Sequence, residues 1–534
     1  MRLLSFSLLT LAATAPAVAQ EVLTPPADAA PAVLTLEDAV EIAAVRSYAV
    51  RVAGYDVATA NAQVAEAYGQ LLPSVDASSS YTRNVVQANP FAGSSAGNIF
   101  GGLGAIGWLQ YNEQARTDGD PATEPITFAQ YNQNVNEGQQ AVGYNPASSD
   151  NPFGTDNSFV NALSVSQTLY SGAAFAAVKG AKSLVQINEA ALEQQEQEAV
   201  HAARVAFFDA LLAQEQADVL QASVGRAAEN ADETARRVGV GTAPKLQRLS
   251  AEVRLANLQT QRIQAENAAQ TAKDALLLQL GLPVGRPVLL RGDPQADPAD
   301  LVQTVAFTDA AATADEARPD LRQARLAVDL LGVQKGITRS QYFPTLSAFA
   351  DLSYVGNVPD DRGFIVSDPD GGAFDFQTGE EGFFSDAYWQ PAVAVGLRLN
   401  WNLFNGFQTS RRVQQDQLAV EQAEVQLEQA SEFARFEVQQ ALRTIESAQR
   451  RIAAQDQNLQ TAELAYTFTD ERLAAGVAQP IELREASDQL DQARLAYLQA
   501  VRDLLVSQSE LQRVTGTIAP EAPRARPDFT LVAD

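Results

Sequence analysis

Read for the spacing of its apolar positions, the chain uses two periods. From Phe407 to Ala475 it contains neither Pro nor Gly, and Ile445, Ile452, Leu459, Tyr466 and Leu473 recur every seven residues. Ala448, Ala462 and Thr469 fill the intervening seam alongside Gln455. Large against small at heptad spacing is coiled-coil packing, and Ala lets the partner helix come close. The predicted helices Phe407–Leu473 and Ala173–Val238 are each about 100 Å long at 1.5 Å per residue. Return helices over Lys245–Leu280 and Ile481–Thr515 span only about 50–55 Å. Two further helices end at prolines: one over Leu36–Leu72, bent near Ser47, and one over Asp320–Phe343. The pieces Tyr48–Leu72 and Asp320–Phe343, at roughly 36–38 Å each, make up the missing length.

After each of those prolines, Pro73 and Pro344, and again before Gly172 and Gly406, the period drops to two. The clearest case is Val393, Val395, Leu397, Leu399, Trp401 and Leu403, alternating with Ala394, Gly396, Arg398, Asn400 and Asn402. That is a strand with one apolar and one wet face. Leu346, Ala348, Ala350, Leu352 and Tyr354 repeat the pattern, as do Phe159, Leu163, Val165 and Leu169, and more weakly Val75, Ala77 and Tyr81. The predicted strands are 74–86, 158–170, 345–355 and 391–404. Alternation alone also fits a soluble sheet. Ser, Thr and Asn on the wet faces, and aromatics at Trp401, Tyr170 and Tyr81 near strand ends, favour tilted membrane strands. Val393, Val395, Leu397, Leu399 and Trp401 are then the lipid-facing set.

The helices and strands occur twice. Gly172 and Gly406 open the long helices 234 residues apart; the turn glycines Gly241 and Gly476, and the closing glycines Gly281 and Gly516, are each 235 apart. Leu36-Glu37-Asp38-Ala39 and Gln70 to Pro73 are echoed 271 residues on by Phe307 to Ala310 and Gln341 to Pro344. A fixed offset over this length is a duplication. The expected division is a first repeat 34–281, a linker 282–304 rich in Pro, a second repeat 305–516 and a tail 517–534. Long polar insertions, 87–157 and 356–388, separate the strands of each pair. The second carries eight acids against the single base Arg362. Structureless insertions of this kind are where outer-membrane barrels place external loops.

Residues 1–19 read as an export signal, with Arg2, an apolar Leu3–Ala13 and the site Ala17-Val18-Ala19, followed by a flexible leader 20–33. The 534-residue chain has 38 basic and 65 acidic residues, a net charge of −27. That balance argues against nucleic acid, whose phosphates are bound by Lys and Arg, and suits a passage that favours cations. With no Cys, disulfides, thiolate chemistry and Cys-bound metal are excluded. Four strands cannot close a barrel, and an open edge in lipid leaves backbone groups unsatisfied. Two chains would supply eight strands and three would supply twelve; the pattern does not choose.

The order of elements, the Ser171-Gly172 and Asn405-Gly406 helix starts and the Gln-x-x-Pro helix ends are diagnostic together. With the R-x-x-x-G turns (Arg237 to Gly241, Arg472 to Gly476), they resemble the TolC-like outer-membrane efflux protein family. The resemblance implies a mainly α fold with a membrane β-barrel: a homotrimer, four strands per chain in a shared twelve-stranded barrel, and a periplasmic helical tunnel. It implies a passive export duct for a tripartite efflux pump or a type I secretion system. The partners it implies are a periplasmic adaptor (membrane fusion protein), an inner-membrane transporter and outer-membrane lipid. The tunnel would be closed at the hairpin turns, Gly241 to Pro244 and Gly476 to Pro480. Acids six and nine positions after the second-turn Gly, here Glu482 and Glu485, would narrow the aperture. Gln247, Leu473 and Ala478 stand where the family pattern has an acid, a Tyr and an Arg. The rival class is a periplasmic coiled-coil adaptor, which would need no lipid-facing strands.

No cofactor or catalytic role is expected. His201 is the only His and lies mid-helix, so neither a triad nor a His-based metal site can be built. Gly102-Leu103-Gly104-Ala105-Ile106-Gly107 spells G-x-G-x-x-G but follows no strand and falls in a Gly-rich loop. Glu482 and Glu485 share a helix face. They could form an acid–base pair, but a solvated helix start, where the dipole favours acids, is the plainer reading.

Overall fold

A computed structural model describes residues 32–86, 96–119, 123–144, 155–292 and 305–518. The export signal, most of the leader, residues 293–304 of the linker and the tail from 519 lie outside them, as do parts of the first insertion. The duplication is explicit in the helices. The first half contains α1 (Leu36–Arg46), α2 (Tyr48–Gly69), α5 (Gly172–Gly239) and α6 (Lys245–Gln279), of 11, 22, 68 and 35 residues. The second half contains α7 (Phe307–Ala317), α8 (Pro319–Ser340), α9 (Gln408–Ala474) and α10 (Pro480–Val514), of 11, 22, 67 and 35. Helix ends fall within three residues of those read from the sequence.

Local chemistry accounts for the boundaries. Thr35 and Asp38 form a capping box at the start of α1. The bend near Ser47 is one extended residue, φ −50°, ψ 136°, and its counterpart is Arg318 at φ −66°, ψ 123°. Pro319 forces the second, because a residue before proline is pushed out of the helical region. Four helices end on a left-handed glycine: Gly241, Gly281, Gly476 and Gly516. In each, the glycine N–H bonds the carbonyl three residues back and the next N–H the carbonyl five back, as Gly476 to Leu473 and Val477 to Arg472 do at 2.9 Å. The Arg of R-x-x-x-G is therefore the residue whose carbonyl closes the turn.

Two compact units result. The first holds 1–61, 183–329 and 420–534, and its core is built twice. Ala39, Ala43, Ala203, Phe207, Leu276 and Leu280 pack together in one half; Ala310, Ala314, Val438, Ala441 and Val514 do so in the other. Each closing glycine rests on the bend of its own half: a Cβ on Gly281 would lie 2.3 Å from the Arg46 carbonyl oxygen, and one on Gly516 2.8 Å from Ala317. Along α9, Ile445, Ala448 and Ile452 are buried, the latter two against Ala500, Val501 and Leu504 of α10. Leu459, Ala462, Tyr466, Thr469 and Leu473 continue the seam half-buried. A short parallel pair, β1 (Ala32–Leu34) with β4 (Val288–Leu290), joins the last residues of the leader, expected to be flexible, to the Pro-rich linker.

The second unit holds 62–182 and 330–419. It contains one antiparallel sheet in the order β2 (Ser74–Arg83), β3 (Asn157–Tyr170), β5 (Thr345–Val358), β8 (Trp389–Asn400), with β2 and β8 as its edges. The expected strand 391–404 stops at Asn400, so Trp401 is not a strand residue. Its indole N–H donates to the Tyr342 carbonyl at 3.1 Å. The insertions are not structureless either. The first holds α3 (Ala96–Thr117) and α4 (Phe128–Ala141); the second holds the hairpin β6 (Gly363–Ser367) and β7 (Phe376–Glu380). Tyr111, Tyr131 and Phe374 bring the two insertions together, with ring centres 5.1–5.9 Å apart. The G-x-G-x-x-G run lies within α3 rather than in a loop. No helix among the described residues is long and apolar enough to cross a membrane.

Candidate functional site

Register sorts the sheet into two faces. On one, Val75, Val165, Ala350 and Val395 form a row across all four strands, and Ala77, Leu163, Leu352 and Val393 form the next. Leu397 and Leu399 continue it opposite Ala348 and Leu346. This face is uncovered: Val393, Val395, Leu397 and Leu399 are 71, 75, 68 and 61 % exposed. Towards the insertions it ends in an aromatic row of Tyr81, Phe159 and Trp389, and Gly356 leaves the space the indole occupies. Tyr81 stacks on Phe159 at 4.8 Å and Phe159 on Trp389 at 5.4 Å.

The opposite face is small and polar. Its rows read Ser78, Ala162, Ser353, Ala392 and Asp76, Ser164, Asp351, Ala394. The next row, Ser74, Ser166, Phe349 and Gly396, carries an aromatic, Phe349, which lies over Gly396 with the Arg398 guanidinium 5.0 Å from its ring.

At the hairpin turns, Gly241 and Gly476 have φ of 78° and 75° and nothing within 4 Å of a built Cβ. Pro244 caps α6 without a side-chain bond, and Pro480 is the first residue of α10. Glu482 is not simply a solvated acid. Its Oε1 accepts from the Gln479 N–H at 3.0 Å, and its Oε2 lies 3.4 Å from Arg472. It is the cap of α10 and its tie to the end of α9. The structure also shows what the sequence reading missed, a carboxylate row continuing every third residue from Glu482 through Glu485 to Asp488 and Asp491. Asp491 takes the Arg226 guanidinium and the Ser223 hydroxyl of α5, the latter at 2.5 Å. Asp488 takes Arg254 of α6. Glu485 alone in the row is exposed and unpaired among the described residues. The i, i+3 spacing was the available signal; the partners, more than 230 residues away, gave none.

His201, on α5, faces α10, its Nδ1 3.0 Å from Ser509 Oγ and its Nε2 3.3 Å from Glu510. Burial lowers its pKa, against the pull of the Glu510 carboxylate. It is a packed, hydrogen-bonded helix residue. No group of three or more metal-ligating side chains occurs among the described residues.

An exposed apolar sheet face with a polar reverse, carried with long helical hairpins, defines a channel-forming protein of the bacterial outer membrane. The comparisons give the family. The model of the outer membrane efflux protein family matches residues 130–282 and 311–517. The chain belongs to this family. It is 23 % identical over 368 residues to the alkaline protease secretion protein AprF of Pseudomonas aeruginosa, covering 68 % of this chain and 70 % of that one. Among solved structures it resembles the CmeC outer membrane channel of Campylobacter jejuni, with a TM-score of 0.63 at 15 % identity over 91 % of this chain and 87 % of that one. VceC of Vibrio cholerae follows at 0.59 and 15 %, over 90 % and 96 %. The protein is thus an outer-membrane export duct, of a family of channels rather than enzymes, and membership implies an adaptor and an inner-membrane transporter as partners.

Proposed function

We propose that three copies of this chain close a twelve-stranded barrel, with Val393, Val395, Leu397 and Leu399 towards lipid and the Ser/Ala face lining the lumen. The observation that carries this is the sheet itself. It has four strands, an uncovered apolar face, and edges β2 and β8 that pair with nothing among the described strands. An unpaired edge in hydrocarbon is not tolerated, so β8 of one copy completes its ladder with β2 of the next. Trp401 takes the interface rather than the lipid core. The turns Gly241 to Pro244 and Gly476 to Pro480 form the periplasmic tip. Glu485 supplies the aperture carboxylate there, with Glu482 holding the helix that presents it. The likeness to a protease secretion protein favours a secreted protein as cargo.

The absence of cysteine makes the test clean. Ser78→Cys on β2 is combined in turn with Gln390→Cys, Ala392→Cys and Ala394→Cys on β8, and oxidised in isolated outer membranes. At least one pair should give covalent dimers and trimers and nothing larger. A ladder that stops at two, or a folded monomer inserted alone, overturns the trimeric barrel.

A further inference from the structure

The end of the sheet where the long helices begin differs in charge from the rest of the chain. Residues 62–73, 171–182, 330–344 and 401–419 carry six bases, Lys179, Lys182, Lys335, Arg339, Arg411 and Arg412, against two acids, Glu66 and Asp416. The whole protein has 38 bases to 65 acids. At the opposite end the charge reverses, with eight acids to one base between 356 and 388. Three of these bases meet neutral groups: Lys335 donates to Gln417, Arg411 to Gln414, and Lys182 stands 5.4 Å from the Tyr68 ring centre. Arg339 and Arg412 are exposed. Away from this rim, Arg226, Arg254, Arg318, Arg435 and Arg502 are each paired with a carboxylate. Arg411 and Arg412 also stand in the opening turns of α9, whose first turn holds no acid. Cations are disfavoured at a helix N-terminus, which is itself an anion-binding position.

An apolar foot lies at the same level. Between the end of β8 and the start of α9, Trp401, Leu403, Phe404 and Phe407 are 57, 78, 72 and 70 % exposed. Gly406 and Phe407 are consecutive left-handed residues at φ 66° and 64°, and Phe407 is the only non-glycine with positive φ among the described residues. This costly turn sets Phe407 edge-on to Phe404 at 5.4 Å and leaves both rings outside the packed sheet. The vertical spacing suits a bilayer surface. A headgroup layer is about 5–7 Å thick on each side. Arg339 lies one residue from the end of α8, and Arg411 and Arg412 are the fourth and fifth residues of α9, within roughly 8 Å of the strand-to-helix junctions. Lys335 and Lys179 fall within a further Debye length of about 8 Å.

We propose that this rim binds anionic phospholipid headgroups of the periplasmic leaflet, with Trp401, Leu403, Phe404 and Phe407 in the acyl boundary and Arg339, Arg411 and Arg412 on the phosphates. The proposal rests on the barrel reading above and names the lipid chemistry it selects. The arginine collar and the acidic insertions then fix which way the barrel lies in its membrane.

The test uses the mature protein in mixed micelles with equal phosphatidylglycerol and phosphatidylcholine, the retained lipids being counted by native mass spectrometry. Phosphatidylglycerol should be retained about tenfold or more over phosphatidylcholine, since each arginine near an anionic surface is worth roughly fivefold. The triple variant Arg339→Gln, Arg411→Gln, Arg412→Gln should bring the two near parity, whereas the three Arg→Lys changes keep the preference. About 0.5 M salt should weaken wild-type retention, and inorganic phosphate in place of salt at equal ionic strength should displace no more lipid than salt does. Equal retention of both lipids by the wild type, an unchanged preference in the Gln triple, or specific displacement by phosphate each overturns the proposal. If the Gln triple fails to fold, the wild-type lipid ratio and its salt dependence decide. Insertion into phosphatidylcholine vesicles is measured in parallel. Insertion without headgroup preference overturns the collar alone, and failure to insert in any vesicle overturns the barrel.

Discussion

Two neighbouring residues of β8 test the faces of the sheet at a single depth. Val395 is the seventh of twelve residues in β8, five or six steps from either end. At about 3.4 Å per step and a tilt near 40°, that places it roughly 13–16 Å from the two ends, the middle of a hydrophobic band about 25 Å tall. Val395→Arg therefore puts a guanidinium at the midplane, costing about 2–4 kcal/mol per chain. That is roughly thirty- to a thousandfold in the inserted population. Ala394→Arg moves the same charge one residue along and onto the other face, in the row of Ser164, Asp351 and Asp76. There it meets water and a carboxylate, and the expected change is within about 0.5 kcal/mol. The assay is the amount of heat-modifiable oligomer in the outer-membrane fraction, followed by urea titration of what assembles. Equal losses, or a larger loss from Ala394→Arg, would mean the faces are reversed.

Glycine substitutions separate turn conformation from packing. Gly241→Ala meets only the left-handed cost of about 1–2 kcal/mol, because nothing lies near its Cβ. Gly281→Ala adds a clash with the Arg46 carbonyl and should lower thermal stability by a further 1–3 kcal/mol or so; equal shifts would refute the bend contact. At the tip, Glu485→Ala should abolish divalent-cation block in planar bilayers while leaving thermal stability unchanged. Glu482→Ala should cost about 0.5–2 kcal/mol through the lost cap. Unchanged block in Glu485→Ala removes this residue from the aperture.

What was legible in the sequence was what repeats. The seam from Ile445 to Leu473, the offsets of 234 to 235 and the alternation from Val393 to Leu399 are periodic signals, and each maps onto an element. Irregular features were not legible. Val33-Leu34 and Val288-Leu289-Leu290 are too short to show a period, so the β1–β4 pair was hidden. The insertion helices α3 and α4 are rich in Gly, Asn and Gln, with weak propensity and weak patterning; burial of Trp108 and Asn112 against the Ile126 carbonyl holds them instead. Leu403 kept the two-residue rhythm past Asn400 although the ladder had ended, because alternation records exposure and not pairing.

The tip carboxylates show how duplicated halves come to differ. Positions 235 before Glu482, Glu485, Asp488 and Asp491 hold Gln247, Ser250, Val253 and Ala256, none of them acidic. Positions 235 after Arg226 and Arg254 hold Thr461 and Gln489, neither basic. The alanines of the apolar core recur in both halves, Ala39 and Ala43 being matched by Ala310 and Ala314. Near the tip the charged partners have diverged, with Arg226 and Arg254 on the first hairpin and the carboxylate row on the second, whereas Arg502 and Asp209 pair in the opposite sense nearer the core. That division makes unlike hairpins attract, since Arg226 and Arg254 find Asp491 and Asp488 across the repeats. It also leaves a surplus. Four carboxylates meet three arginines, one of them Arg472 of the second half, and Glu485 is the charge left over. The proposed aperture acid is thus the one carboxylate of the row that pairing across the repeats leaves without a partner among the described residues.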